Sequence, residues 1–190
     1  MKPVDLSEIR NIADYELERK TWRPQVMALK DRRRVRAGAH LTFLFENRNT
    51  VRYQVQEMMR IERIVEPDAV RHEVDTYNEL IPLPGELSAS LLIEYDSPEE
   101  RDVALRELLG LEDHVWLAVG GYAPGKARFD TRQISTDRIS SVQYVKFPLS
   151  PEMRAHFAEG ARIIIDHPKY RAEQPLSQAQ LQELANDFEP

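Results

Sequence analysis

The stretch that decides the fold runs from Leu41 to Val65 and reads LTFLFENRNTVRYQVQEMMRIERIV. Its first part, Leu41–Phe45, is rich in strand-forming residues and predicts a short strand. Asn47–Asn49 predicts a turn, and Thr50 is a suitable cap for a helix over roughly residues 51–65. Charged and amide side chains lie within the apolar arc of that helix, where burial requires a partner. The stretch therefore predicts either a structural ion network or a binding site.

The composition limits the classes of function. The chain has 190 residues, of which 26 are basic and 32 acidic, so its formal net charge is −6. An acidic protein is a poor general nucleic-acid binder, because phosphate contacts need a basic face. The absence of cysteine excludes disulfides, thiolate catalysis and cysteine-ligated zinc or iron–sulfur clusters in this chain.

The N-terminal residues lack the apolar region of a signal peptide. No apolar run in the sequence reaches the roughly 20 residues that a membrane helix needs. We therefore expect a soluble cytoplasmic protein that does not associate with a membrane.

Helix and strand patterns alternate along the rest of the chain. We predict helices over residues 12–37 (with a break at Pro24), 67–80 and 97–110, near 151–159 and after Pro175, and strands over 87–95, 115–119, 126–130, 141–147 and 162–166. This order predicts an α+β fold: a single domain with a mixed, largely antiparallel sheet of about five or six strands flanked by helices. Residues 1–40 are expected to form an N-terminal helical arm and residues 41–190 the α+β domain, the two making one structural unit.

The predicted helix over residues 51–65 supplies the main candidate site. A carboxylate embedded in its apolar arc either pairs with arginine or holds a proton with a raised pKa. In the second case Glu57 is a candidate acid–base catalyst, and arginines around it would bind a carboxylate or phosphate. The candidate ligand-binding residues are Glu46, Arg48, Arg52, Gln54, Glu57, Arg60, Tyr77 and Asn78. The sequence leaves open the alternative of a buried ion network without chemistry.

A basic run occupies the end of the first predicted helix. Its candidate partner-binding residues are Lys30, Arg32, Arg33, Arg34 and Arg36, opposed only by Asp31. Such a patch could dock an acidic partner by charge complementarity or contact RNA. The acidity of the whole chain argues against nucleic acid.

Familiar catalytic motifs are missing from the sequence. The five histidines form neither a Glu-x-x-His nor a His-Glu-x-x-His pattern, so we predict no specific metal site and no cofactor. Residues 120–126 have the spacing of a phosphate-binding loop, but Ala127 replaces the hydroxyl residue that ligates magnesium. Pro124-Gly125 instead predicts a turn between strands. With no Gly-x-Ser-x-Gly elbow either, the chain looks more like a non-catalytic protein than an enzyme.

Several segments resemble the bacterial domain of unknown function 3501 family. The most specific of them runs from Phe45 to Arg63, and the resemblance spans nearly the whole chain. Three further segments fit it: YNELIP at residues 77–82, VQY with Phe147, and HPKY at residues 167–170. The resemblance implies no activity. It implies a context, since members tend to be encoded beside rubrerythrin-like proteins and iron–sulfur proteins similar to heterodisulfide reductase subunits.

Three hypotheses on function follow. The first is an accessory or interaction protein of a redox or oxidative-stress system, in which a redox protein partner does the electron chemistry. The interaction role rests on the absent catalytic motifs, the lack of cysteine and the basic arm on an acidic body, and the redox context is what the resemblance implies. The second is an enzyme or a receptor for a small anionic ligand, with a buried Arg/Glu pocket. The third and weakest is an RNA-contacting protein that uses residues 30–36.

Overall fold

Strand pairing divides the chain between two antiparallel sheets. The computed structural model describes residues 1–188. The larger sheet has the strand order β1-β2-β3-β7-β6, and the smaller sheet has the order β5-β4-β8-β9. The strands are β1 Arg34–Ala37, β2 Leu41–Glu46, β3 Glu86–Ile93, β4 Val115–Val119, β5 Gly125–Lys126, β6 Arg128–Phe129, β7 Val142–Pro148, β8 Ala161–His167 and β9 Tyr170–Pro175.

The helices lie outside these sheets. They are α1 Ile12–Arg32, α2 Arg48–Glu62, α3 Pro67–Asn78, α4 Pro98–Glu107, α5 Pro151–Ala155 and α6 Gln178–Ala185. Helix α2 packs against both α1 and α3. Within residues 1–188, no helix combines the length and the apolar character that a bilayer crossing requires.

The main core lies between the two sheets. Apolar side chains from the inner faces of both, such as Phe43 and Phe147 in the larger sheet and Leu117 and Ile163 in the smaller, belong to one buried cluster. The cluster also takes in Leu184 of α6. The α+β class is therefore confirmed, with its strands antiparallel throughout and placed in two layers, whereas the sequence pattern predicts one mixed sheet.

The end of the first helix differs from the prediction. Helix α1 continues through Pro24 but stops at Arg32, and residues 34–37 form strand β1 instead of a last helical turn. In β1 the buried Val35 and Ala37 alternate with more exposed arginines, which is the period of a strand that covers a core. Pairing with β2 then satisfies the backbone of this segment. The alternation of arginine with apolar residues is visible in the sequence, but it spans only four residues, Arg34–Ala37, and was therefore not recognised as a strand.

Arg33 fixes the turn between α1 and β1. Its side chain is fully buried. It donates Nε–H to the backbone oxygen of Phe45 (2.8 Å) and Nη2–H to that of Glu46 (3.1 Å), and it forms an ion pair with Asp187. A guanidinium can make these bonds together because its donors form a rigid planar fork. Arg33 therefore ties β2 and the C-terminal segment to the helix end.

The start of α2 and the strand β9 also differ from the prediction. Helix α2 begins at Arg48, three positions earlier than expected, because the Asn47 side chain accepts the backbone N–H of Asn49 and of Thr50 (both 3.0 Å). Strand β9 was also missed, and it pairs with β8 at the edge of the smaller sheet. Residues 120–124, in the region with phosphate-loop spacing, connect β4 to β5, but the turn lies at Gly120-Gly121, and Gly125 of the predicted Pro-Gly turn belongs to β5.

Candidate functional site

A row of outward-facing side chains forms the floor of the site. Arg34 lies opposite Leu44, Leu44 opposite Ser90, and Ser90 opposite Tyr144, across four strands of the larger sheet. Directly paired residues of antiparallel strands project to the same face. Because the inner face carries the main core, this row points toward helices α1–α3.

Those helices form the roof. Lys30 from the last turn of α1, Val51 and Gln54 from α2, and Tyr77 from the end of α3 line a cavity of about 370 Å³ above the row. This volume suits a small organic ligand. The structure thus brings together three predicted ligand-binding residues, Glu46, Gln54 and Tyr77, and two from the basic run, Lys30 and Arg34.

Glu46 is the anionic group of this cavity. Its side chain is buried at the end of β2. One carboxylate oxygen accepts the hydroxyl of Ser90 (2.7 Å), and the other accepts that of Thr50 (2.5 Å). A carboxylate offers about four acceptor positions, so Glu46 retains capacity for a further donor.

Lys30 and Arg34 are the cationic groups. Neither side chain makes a hydrogen bond or ion pair with another residue in the described range 1–188, although Lys30 Nζ lies 5.1 Å from the ring centroid of Tyr53. Burial lowers the pKa of Lys30, the Glu46 carboxylate opposes that shift, and the Arg34 guanidinium adds to it. Two positive charges therefore face one cavity whose lining contains a single carboxylate, that of Glu46.

Two tyrosines separate the cavity from a neighbouring one. Burial raises the pKa of Tyr77, the Gln54 side chain opposes the shift, and Tyr144, Glu73 and Glu62 add to it. The pKa of Tyr144 is raised by burial and then by the charges of Glu46 and Asp130. Both hydroxyls therefore stay protonated at neutral pH and can donate hydrogen bonds.

Glu57 belongs to a different cluster, between α1 and α2. It accepts the hydroxyl of Tyr15 (2.5 Å) and two N–H groups of Arg19 (2.7 and 3.1 Å), and Arg60 lies 3.4 Å away. Burial acts to raise the pKa of Glu57, but the hydrogen bonds from Arg19 and Tyr15 outweigh it and hold the pKa at about 2. Glu57 is thus an ionised acceptor that joins α1 to α2.

The other predicted ligand-binding residues have structural contacts. Arg48 forms an ion pair with Glu8, and the guanidinium carbon of Arg52 lies 4.9 Å from the ring centroid of Trp22. Arg60 bridges Glu57 and Glu16. The Asn78 side chain bonds to both backbone groups of Val4 (2.8 and 3.0 Å). These four residues hold helices and the N-terminal segment together.

The basic run is split by the end of α1. Arg33 is buried in the fold and Arg32 pairs with Glu183 on α6. Arg36 is exposed on β1. The run is therefore not one continuous basic surface, because a helix and a strand present its members in different directions.

Some site residues were missed from the sequence. Ser90 and Tyr144 complete the floor, and their signal is the alternation of polar with buried apolar residues along β3 and β7. On α2, Gln56 is the buried amide: it bonds to the backbone N–H and oxygen of Arg10 (2.7 and 3.1 Å), while Glu62 is exposed. The N-terminal segment therefore packs against α2 at Gln56.

The described part of the chain contains no group of three or more His, Cys, Asp or Glu side chains arranged to hold a metal ion. The site offers instead one carboxylate, two cationic side chains and several hydroxyl donors. This set can bind a ligand that carries a negative charge and a hydrogen-bond donor.

The fold and site define an α+β protein of two stacked antiparallel sheets, with a helix-covered polar cavity on the outer face of the larger one. The chain belongs to the family described as "Protein of unknown function (DUF3501)", whose model matches residues 3–188. It is similar to a crystal structure described as a novel protein of unknown function from Burkholderia pseudomallei. The two are 32% identical, with a TM-score of 0.92, over 99% of this chain and 100% of that chain. No curated protein matches the chain.

Proposed function

We propose that this protein is a receptor for a small organic anion, which it binds in the cavity between α1–α3 and the larger sheet. The observation that carries the proposal is the pair of cationic side chains, Lys30 and Arg34, which face this cavity without an ion-pair partner in residues 1–188. Half-buried like charges repel and lose hydration. An anionic ligand would relieve both costs.

The other polar groups limit the ligand further. Glu46 has acceptor capacity left, and the Tyr144 hydroxyl makes no hydrogen bond within the described residues. A ligand with a hydroxyl or ammonium group near its anionic end would satisfy both. A hydroxy acid or amino acid fits the charges and the volume of about 370 Å³ better than a purely apolar acid.

Calorimetric titration with sodium 2-hydroxybutyrate, and with sodium butyrate as the purely apolar acid, tests the proposal, with sodium chloride at the same ionic strength as the blank. We expect the Lys30→Met variant to lose at least about tenfold in affinity for the carboxylate that binds, because a charge-assisted hydrogen bond contributes about 1.5–3 kcal/mol. Methionine retains the length of the side chain, so the fold should survive, as far-ultraviolet circular dichroism would show.

The matched control is Lys126→Met. Lys126 is an exposed lysine paired with Asp113, away from this cavity, so the substitution removes the same charge from the molecule. Equal affinities of the wild type and Lys30→Met, or an equal loss in both variants, would contradict binding at the cavity.

We also propose a cytoplasmic accessory role beside a redox protein partner, supported only by the family context that the resemblance implies. The two proposals are compatible, since a ligand receptor can act as the sensor of a partner enzyme. Affinity capture from cytoplasmic extract at low and high salt tests this role. Recovery of no redox protein under either condition would count against it.

A further inference from the structure

The proposed binding cavity adjoins a larger one. The larger cavity has a volume of about 620 Å³ and shares Tyr77, Leu80 and Tyr144 with the smaller. Its floor continues the same sheet face, since Lys146 is the next outward residue after Tyr144 on β7. The two cavities therefore meet at these three side chains.

The two cavities have opposite charge. Four carboxylates line the larger cavity, those of Glu62, Glu73, Glu79 and Asp130. Its three cationic residues are already engaged: Arg132 pairs with Glu79 (2.5 Å) and Asp130 (2.7 Å), whereas Arg128 and Lys146 lie 2.8 and 3.6 Å from Glu86.

Glu62 and Glu73 remain without a cationic partner in residues 1–188. The smaller cavity has two such cations, Lys30 and Arg34. The uncompensated charges are thus negative at one end of the joined space and positive at the other.

The C-terminal ends of two helices add to the negative charge of the larger cavity, whereas the C-terminal turn of α1 borders the smaller one at Lys30. Helix α2 ends at Glu62 and α3 ends at Asn78, and residues from both ends line the larger cavity. The C-terminus of a helix carries a partial negative charge that favours a cation. Two helix ends and two unpaired carboxylates therefore act in the same direction.

We propose that the two cavities form one groove for an elongated zwitterion, with the anionic group between Lys30 and Arg34 and an ammonium group at Glu62 and Glu73. This inference rests on the proposed function and specifies its ligand class as an ω-amino acid or a compound of similar length and charge. Tyr77 and Tyr144 flank the linker between the two charged ends.

Calorimetry with matched pairs of ligands tests the groove. The pairs are butyrate with 4-aminobutyrate, hexanoate with 6-aminohexanoate, and octanoate with 8-aminooctanoate. Because a charge-assisted contact forms at the second end, the terminal ammonium should raise the affinity about tenfold for at least one length. The best length then reports the span of the groove.

Two variants assign that gain to its residues. The double variant Glu62→Gln and Glu73→Gln should lose the gain and bind the plain carboxylate as the wild type does. Lys30→Met should weaken both members of a pair. The control Glu66→Gln removes a charge from the exposed residue that precedes α3, and it should leave the gain intact.

The outcomes separate the two proposals. Plain carboxylates that bind in a Lys30-dependent manner, with no gain from the ammonium at any length, would overturn the groove and leave the receptor standing. A gain that persists in the double variant would also overturn the groove. Failure of every ligand to bind would overturn both.

Discussion

At the scale of single residues, the partners of a charged side chain decide its role. Glu46 and Glu57 both belong to the stretch Leu41–Val65, and both are shielded from water. Glu57 is saturated by Arg19 and Tyr15, whereas Glu46 accepts two hydroxyls and borders open space. Periodicity along the chain could show that both carboxylates needed partners. It could not show which side chains bond to each carboxylate, because Tyr15, Arg19 and Ser90 are distant in sequence.

The ion cluster at Glu57 gives a pH-dependent contribution to stability. Its folded pKa of about 2 lies below the ordinary value of 4.5. A lowered carboxylate pKa contributes stability that is fully present above about pH 4.5 and is lost as the pH falls toward 2. We expect Glu57→Gln to cost about 1–3 kcal/mol at neutral pH, because Arg19 and Tyr15 lose a charged acceptor.

Urea unfolding at neutral pH and at about pH 3 checks this prediction. The difference between the wild type and Glu57→Gln should shrink at the lower pH. The control Glu66→Gln, at an exposed position, should change stability by less than about 0.5 kcal/mol. A difference for Glu57→Gln that stays constant between the two pH values would show that its ionisation is not the cause.

At the scale of elements, a two-residue alternation of side chains identified most strands, and a repeat of about 3.6 residues identified most helices. The missed strands β1 and β9 are short or polar, and they gain their stability from partners far along the chain. Strand β1 contacts β9 across the edges of the two sheets. Tyr170 of β9 donates its hydroxyl to Ala37 (2.7 Å) and accepts the backbone N–H of His40 (3.0 Å). No local pattern predicts such a junction.

The turn between β1 and β2 depends on glycine at this junction. Gly38 has a φ of +75°, and a Cβ atom there would overlap the Tyr170 hydroxyl. We expect Gly38→Ala to destabilise the fold by about 1–3 kcal/mol through backbone strain and the displaced tyrosine. Thermal unfolding measures the effect.

Gly121→Ala is the matched control for this substitution. A Cβ atom at Gly121 meets no other group within 4 Å, and its φ lies outside the left-handed region. The control should therefore unfold within a degree or two of the wild type, as expected for a change of less than about 0.5 kcal/mol. Equal melting temperatures for both variants would refute the role of the β1–β2 turn.

At the scale of the whole molecule, the cavity is a product of tertiary structure. Its floor comes from four strands and its roof from three helices, so its lining residues run from Lys30 to Tyr144. The sequence could predict the α+β class and part of the lining, namely Glu46, Gln54 and Tyr77. It could not predict that neighbouring residues of one basic run separate, with Arg33 in the core and Arg34 at a cavity.

Lys30 and Arg34 together are proposed to hold the anionic group of a ligand. A crystal structure of the protein soaked in 6-bromohexanoate measures this directly, because anomalous scattering locates the bromine and electron density locates the carboxylate. We expect the carboxylate within hydrogen-bonding distance of Lys30 Nζ and the Arg34 guanidinium, with the bromine beyond Tyr77 and Tyr144. A carboxylate bound elsewhere, or a cavity left unchanged at saturating ligand, would contradict it.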